Sequence, residues 1–200
     1  MRQILDSPWA SLGAGVGIAA AVLLVWTMAA GADGFGLVSF LLRFLHVLAA
    51  MVWIGLVVFV NFIQLVAVQT GDEATRGVLH KTIVPDVAWW LRHTSTATVI
   101  SGALLLVTMG YLLPTLAYGT GVYVPPSRAV LLWLAVLGGL AMWMFMHMYI
   151  WPSMQVVLGS RPGDANAKTA ARTRVKTFAR LNLILAVPVA LAMVAAAHLY

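Results

Sequence analysis

Residues 38–66 read VSFLLRFLHVLAAMVWIGLVVFVNFIQLV, and the solvent this stretch suits decides the fold. A helix rises about 1.5 Å per residue, so about 20 residues cross the ~30 Å hydrocarbon layer of a bilayer. The stretch is longer than that, and Arg43 and His46 are its only titratable side chains. Its polar and small residues recur at helical spacing as Arg43, His46, Ala50, Trp53, Val57, Asn61 and Gln64. Such a face turns toward other helices, because an unpaired polar group in hydrocarbon costs several kcal/mol.

The rest of the chain agrees. Of 200 residues, 62% are hydrophobic and 9% are charged, against roughly 25% charged in a soluble domain. Further apolar stretches at 11–30, 87–113, 129–151 and 179–199 predict an all-α integral membrane protein, one domain over 1–200 built as a bundle of five transmembrane helices. The first span follows Pro8 and Trp9 without a small-residue cleavage site, so it is expected to be a retained helix rather than a signal peptide. Segments 67–86, 114–128 and 152–178 are expected as loops, too short to bury a soluble core.

Charge sets the orientation. With alternating helices, Arg2, Arg76, Lys81, Arg92, Arg161, Lys168, Arg172, Arg174, Lys176 and Arg180 fall on one side, and only Arg43 and Arg128 on the other. Positive residues are retained on the cytoplasmic side, which predicts a cytoplasmic N-terminus and a periplasmic C-terminus in a bacterial inner (plasma) membrane. The net charge of +6 follows from topology and contact with the lipid bilayer, and no nucleic acid partner is needed to explain it. The chain has no cysteine, which excludes disulfides, thiolate metal sites and covalent c-type haem attachment. All carboxylates (Asp6, Asp33, Asp72, Glu73, Asp86, Asp164) lie in loops or at helix ends, an unusual pattern for a proton-coupled carrier or cation channel.

Four histidines fall within spans or at their ends. His46 admits two readings: an interhelical hydrogen bond with Arg43 snorkelling to the headgroups, or an axial ligand of haem iron. His93 follows Arg92 at the start of a span rich in small hydroxyl residues, including Thr94, Thr98 and Ser101. In MWMFMHMYIW, residues 142–151, Trp143, His147 and Trp151 are spaced i, i+4, i+8, a stripe of two indoles about an imidazole. His198 lies at the outer end of the last span, which also holds Asn182 and a central Pro188 expected to kink it and open room in the bundle. At ~1.5 Å per residue, His46 lies roughly 10 Å outside its span's midpoint and His147 roughly 10 Å inside its own. The two cannot share an iron. The available pairs are His93 with His147 and His46 with His198, one in each leaflet.

Four segments in order, RFLHVLAAMVWIG (43–55), IVPDVAWWLRHTSTATVISGALLL (83–106), MYIWPSMQVVLGSRP (148–162) and ARLNLILAVPVALAM (179–193), resemble the N-terminal membrane domain of membrane-bound urate oxidases over most of 40–197. The positions that carry the resemblance are His46, Trp53, Gly55, Trp90, Arg92, Ser95, Thr98, Ser101, Gly102, Pro152, Asn182 and Pro188. Members of that family usually have more spans and a C-terminal cytochrome c domain with a CxxCH motif, and His93 stands where an aromatic is expected. A more distant similarity links the chain to small membrane protoporphyrinogen oxidases, associated with b haem, and to copper-resistance D-type proteins.

The resemblance implies a b-type haem redox protein, with the histidines as iron ligands and Arg43, Trp53, Trp143 and Trp151 about the cofactor, passing electrons to a quinone or a separate cytochrome. Two alternatives stand beside it. One is an oxidase of a small urate-like heterocycle or porphyrin, with Arg43 or Arg92 orienting an anionic group. The other is an accessory subunit of a larger respiratory or photosynthetic complex with no catalytic role.

Overall fold

The computed structural model describes residues 5–31, 33–119 and 124–200. The chain divides into two compact units, Met1–Leu41 and Leu42–Tyr200. In the first, α1 (Pro8–Ala30) starts on a Ser7 cap, whose Oγ accepts from the Ala10 amide at 3.3 Å, with proline in its first turn. It stops at Gly31, which takes the left-handed conformation (φ 61°) that ends helices cheaply only without a Cβ. Asp33 Oδ1 then accepts from the Gly36 amide at 2.6 Å as α2 begins, and Trp26 packs against Phe40.

Helix α2 runs over Gly34–Thr70 and is followed by α3 (Glu73–Lys81), α4 (Ile83–Thr108) and a short α5 (Leu112–Leu116). Helices α6 (Pro126–Val157) and α7 (Ala165–His198) complete the second unit. Among the described residues four helices are long and apolar enough to cross a membrane, α1, α2, α6 and α7, which makes the chain an all-α, multi-pass membrane protein. Helix α4 has 26 residues, length enough to cross, but Arg92, His93 and its hydroxyl residues dilute its apolar character.

The expected loops are shorter than composition suggests. Asp72 and Asp164 cap α3 and α7, accepting from the Thr75 and Ala167 amides at 2.8 and 2.7 Å. The basic segment 165–178 is therefore helical and continuous with the last span, because Ala, Lys and Arg favour helix in water as well as in lipid. Residues 120–123 of the expected 114–128 loop lie outside the described residues.

In the second unit α2, α4, α6 and α7 form a bundle that is polar inside and apolar outside. Asn61, Ser95, Thr98, Ser101 and Asn182 are buried, while Ile184, Val187, Leu191 and Val194 are exposed, the arrangement that lipid requires. Small residues bring α7 close to its neighbours: Ala171, Ala179, Ala186, Ala192 and Ala196 share its buried stripe. Gly138 of α6 sits against Val189, where a Cβ would collide. Pro188 does not open the core as expected, since α7 runs through it and its ring lies on the exposed side.

Both α2 and α6 widen by a π turn. In α2, over Val60–Gln64, the Leu65 amide reaches the Val60 carbonyl, and the Asn61 side-chain Nδ2 takes the Val57 carbonyl at 2.8 Å. A side chain entering the ladder displaces it by one residue. In α6, over Phe145–Ile150, the Trp151 amide reaches Met146. Pro152 follows at once, and with no amide hydrogen and a ring that would strike the preceding turn it favours the wider register there.

Candidate functional site

The hydroxyl run of α4 satisfies itself. Thr94 donates to the Trp90 carbonyl (2.7 Å), Ser95 to Arg92 (2.9 Å), Thr98 to Thr94 (2.8 Å) and Ser101 to Ala97 (2.6 Å). These short side chains leave a smooth, closely approachable surface.

His46 docks on it. Its Nδ1 lies 2.9 Å from the Thr98 carbonyl and 3.2 Å from Ser101 Oγ. A carbonyl only accepts, so Nδ1 carries the proton and Nε2 the lone pair. The ring rests on Gly102, where a Cβ would stand 2.9 Å from His46 Cε1. The structure shows the interhelical hydrogen bond of His46, which leaves Nε2 without a hydrogen-bond partner among the described residues. Trp53, two turns on, is buried in the bundle core with its indole Nε1 unpartnered. Arg43 is exposed and its Nη2 reaches Met109 Sδ at 3.4 Å. His198 is exposed at the end of α7, where the neighbouring contact is Arg128 Nε donating to the Ala196 carbonyl at 2.9 Å. Among the described residues no contact joins His46 to His198.

The inner histidines share one local design. His93 Nδ1 donates to the Trp89 carbonyl at 2.8 Å, and its ring stacks on the Trp89 indole with centroids 4.0 Å apart. His147 Nδ1 donates to the Trp143 carbonyl at 3.0 Å, and its ring stacks on Trp143 at 4.5 Å. Each is a Trp-x-x-x-His turn in which the residue four back fixes both tautomer and ring plane. The sequence shows the spacing in α6, and it shows the same spacing in α4, from Trp89 to His93.

Thr96 joins the two helices, and nothing in the sequence singled it out. Its Oγ1 lies 3.1 Å from His147 Nε2 and 3.3 Å from Trp143 Nε1. The hydroxyl accepts from the indole, and its single proton is shared between two acceptors, His147 Nε2 and the Arg92 carbonyl 3.0 Å away. Trp151 completes the stripe beneath Arg92, whose guanidinium carbon lies 4.6 Å from the indole centroid. All three members of the Trp143, His147, Trp151 stripe therefore face α4.

The chemistry of these donors fits a haem iron in one respect. Axial imidazoles bind through a neutral nitrogen while the other N–H is anchored to a carbonyl, and His46, His93 and His147 all hold that state. His93 Nε2 has no hydrogen-bond partner among the described residues, whereas His147 Nε2 must first leave Thr96. Among the described residues there is no cluster of three or more His, Asp or Glu side chains that could hold a metal ion by themselves.

A second feature lies at the bundle centre. Residues of α2, α4, α6 and α7 together line a partly open cavity of about 30 Å³, with members of both π turns among them. Asn61, Gln64 and Asn182 line it, all buried, and the Oδ1 or Oε1 of each has no hydrogen-bond partner. Asn61 is held by its other end, with Nδ2 donating to the Ala179 carbonyl at 3.0 Å as well as to Val57. No protein family, curated protein or solved structure matches the chain.

Proposed function

We propose that this chain is a five-span protein of a bacterial plasma membrane, N-terminus cytoplasmic and C-terminus periplasmic, that holds a b-type haem at the α4–α6 face and passes electrons to a quinone or a separate cytochrome. The observation that supports it is the pair of Trp-x-x-x-His turns, each presenting a neutral Nε2 with its Nδ1 anchored. The resemblance to the membrane domain of membrane-bound urate oxidases points the same way.

When bound, haem supplies one-electron chemistry at its iron. The chain's own part is to hold two imidazoles in a single tautomer, to wall them with Trp89 and Trp143, and to place Arg92 within reach of an anionic group. His93 is the ligand ready as it stands, and His147 joins once Thr96 rotates away. Helix α4 crosses as the fifth span, with its hydroxyl face turned inward.

A dithionite-reduced minus oxidised spectrum of the purified full-length protein tests the reading. A b-type α band is expected; a colourless protein that stays bound to a large complex would end the haem reading in favour of the accessory subunit. A periplasm-active reporter fused after Tyr200 should be active and one inserted near Gly163 silent. The reverse would overturn the orientation.

A further inference from the structure

Unpartnered buried acceptors are rare and call for an occupant, and three residues that carry one line the central cavity. Asn61, Gln64 and Asn182 are 1%, 8% and 3% exposed, and each carboxamide oxygen lacks a donor. The amide orientation of Asn61 is fixed by two carbonyls, Val57 and Ala179, both of which require Nδ2 toward them. Its Oδ1 is therefore committed to the side away from them.

Charge narrows the occupant. No carboxylate lines the cavity, and the Arg180 guanidinium donates to the Asn61 carbonyl at 3.3 Å. A bare cation would meet that positive charge with no counter-ion. An anion would meet three carboxamide oxygens that can only accept, against amide donors from Gln64 and Asn182 alone. The surviving class is an uncharged hydrogen-bond donor. Size narrows it again, since one water needs about 10–15 Å³ of such space and the cavity offers about 30 Å³.

We propose that the cavity between the two π turns is a water-binding site, holding two waters that donate to Asn61 Oδ1, Gln64 Oε1 and Asn182 Oδ1. Two waters bring four hydrogens, enough for three oxygens and one bond between the waters. The site is independent of the haem reading, because it uses none of the histidines. It also gives the two π turns a shared role: residues of both line the same space, and the waters fill the volume that side chains leave.

The test is an experimental structure of the full chain at a resolution that shows ordered water, with crystals also soaked in thallous ion as a probe for monovalent cations. Two water peaks within hydrogen-bonding distance of the three oxygens, and no thallium signal, are expected. Thallium density in the cavity would overturn the proposal, as would a dry cavity with the oxygens turned to protein donors. Asn182→Leu supplies a second measurement. It should elute as the native protein does and lose at least one water peak; both waters retained in place would overturn the assignment to Asn182.

Discussion

His93 and His147 are built alike and meet different surroundings. Each donates Nδ1 to a tryptophan carbonyl four residues back and stacks on that tryptophan. His93 is exposed with a free Nε2, whereas His147 is half-buried with its Nε2 on Thr96. Local sequence fixes the tautomer, while the neighbouring helix decides whether the ligating nitrogen is available. Two identical turns can thus differ in function through a single hydroxyl on another element.

The largest expected effect tests whether the difference matters for cofactor. If both imidazoles hold haem, His93→Ala and His147→Ala should each lower haem content at least tenfold, about 1.4 kcal/mol of binding, with insertion unchanged. Equal spectra in wild type and both variants would remove the α4–α6 face as the site.

Gly102→Ala separates this face from its neighbour. The new methyl would meet the His46 ring, and overpacking of this kind costs about 1–3 kcal/mol. Stability to thermal unfolding should fall while any haem spectrum stays as it was. A spectrum that changes with Gly102→Ala would mean the two seams are coupled and the comparison too local.

Thr96→Val acts on one member of the pair alone. It deletes the donor to His147 and the acceptor of Trp143 Nε1–H, a loss of about 1 kcal/mol. The imidazole nitrogen resonances of His147 should move in an NMR spectrum and those of His93 should not. Movement of both would show that the turns do not act separately.

The smallest effect concerns His80, which lies in α3, outside the spans. Burial holds its pKa below the ordinary 6.5, and the Arg172 and Arg76 charges add to this. A base whose folded pKa is depressed takes up protons more readily when unfolded, so its stabilising contribution is complete above about pH 6.5 and is lost as pH falls through the folded value. His80→Gln should flatten that acid-side loss in a thermal-unfolding series. No change in slope would mean that His80 adds nothing to it.

Helix content and the long apolar spans were legible because lipid imposes a simple rule on composition, which most residues of a segment such as 38–66 obey. The Trp143, His147, Trp151 stripe was legible from spacing, and its partner turn at Trp89 and His93 could have been found the same way. The π turns were not. A period of 3.6 carries no mark of one extra residue until Asn61 is seen to occupy the Val57 carbonyl, or Pro152 is read as disturbing the turn before it. Convergence of Asn61, Gln64 and Asn182 depends on how α2 meets α7, which no single-helix pattern contains. The expected loop at 152–178 failed for a different reason, since charge marks the edge of lipid and says nothing about the end of a helix.

Helix α7 has a mechanical consequence. Its 34 residues form a continuous rod of about 50 Å, at ~1.5 Å per residue, well beyond the ~30 Å of hydrocarbon. The excess carries Lys168, Arg172, Arg174 and Lys176, and Asn182 sits one to two turns further along. No break in the helix separates its basic end from its membrane end. Any partner or lipid charge that tilts the basic end turns α7 like a lever about its contacts with α2 and α6, and the first place to register that torque is the buried carboxamide layer.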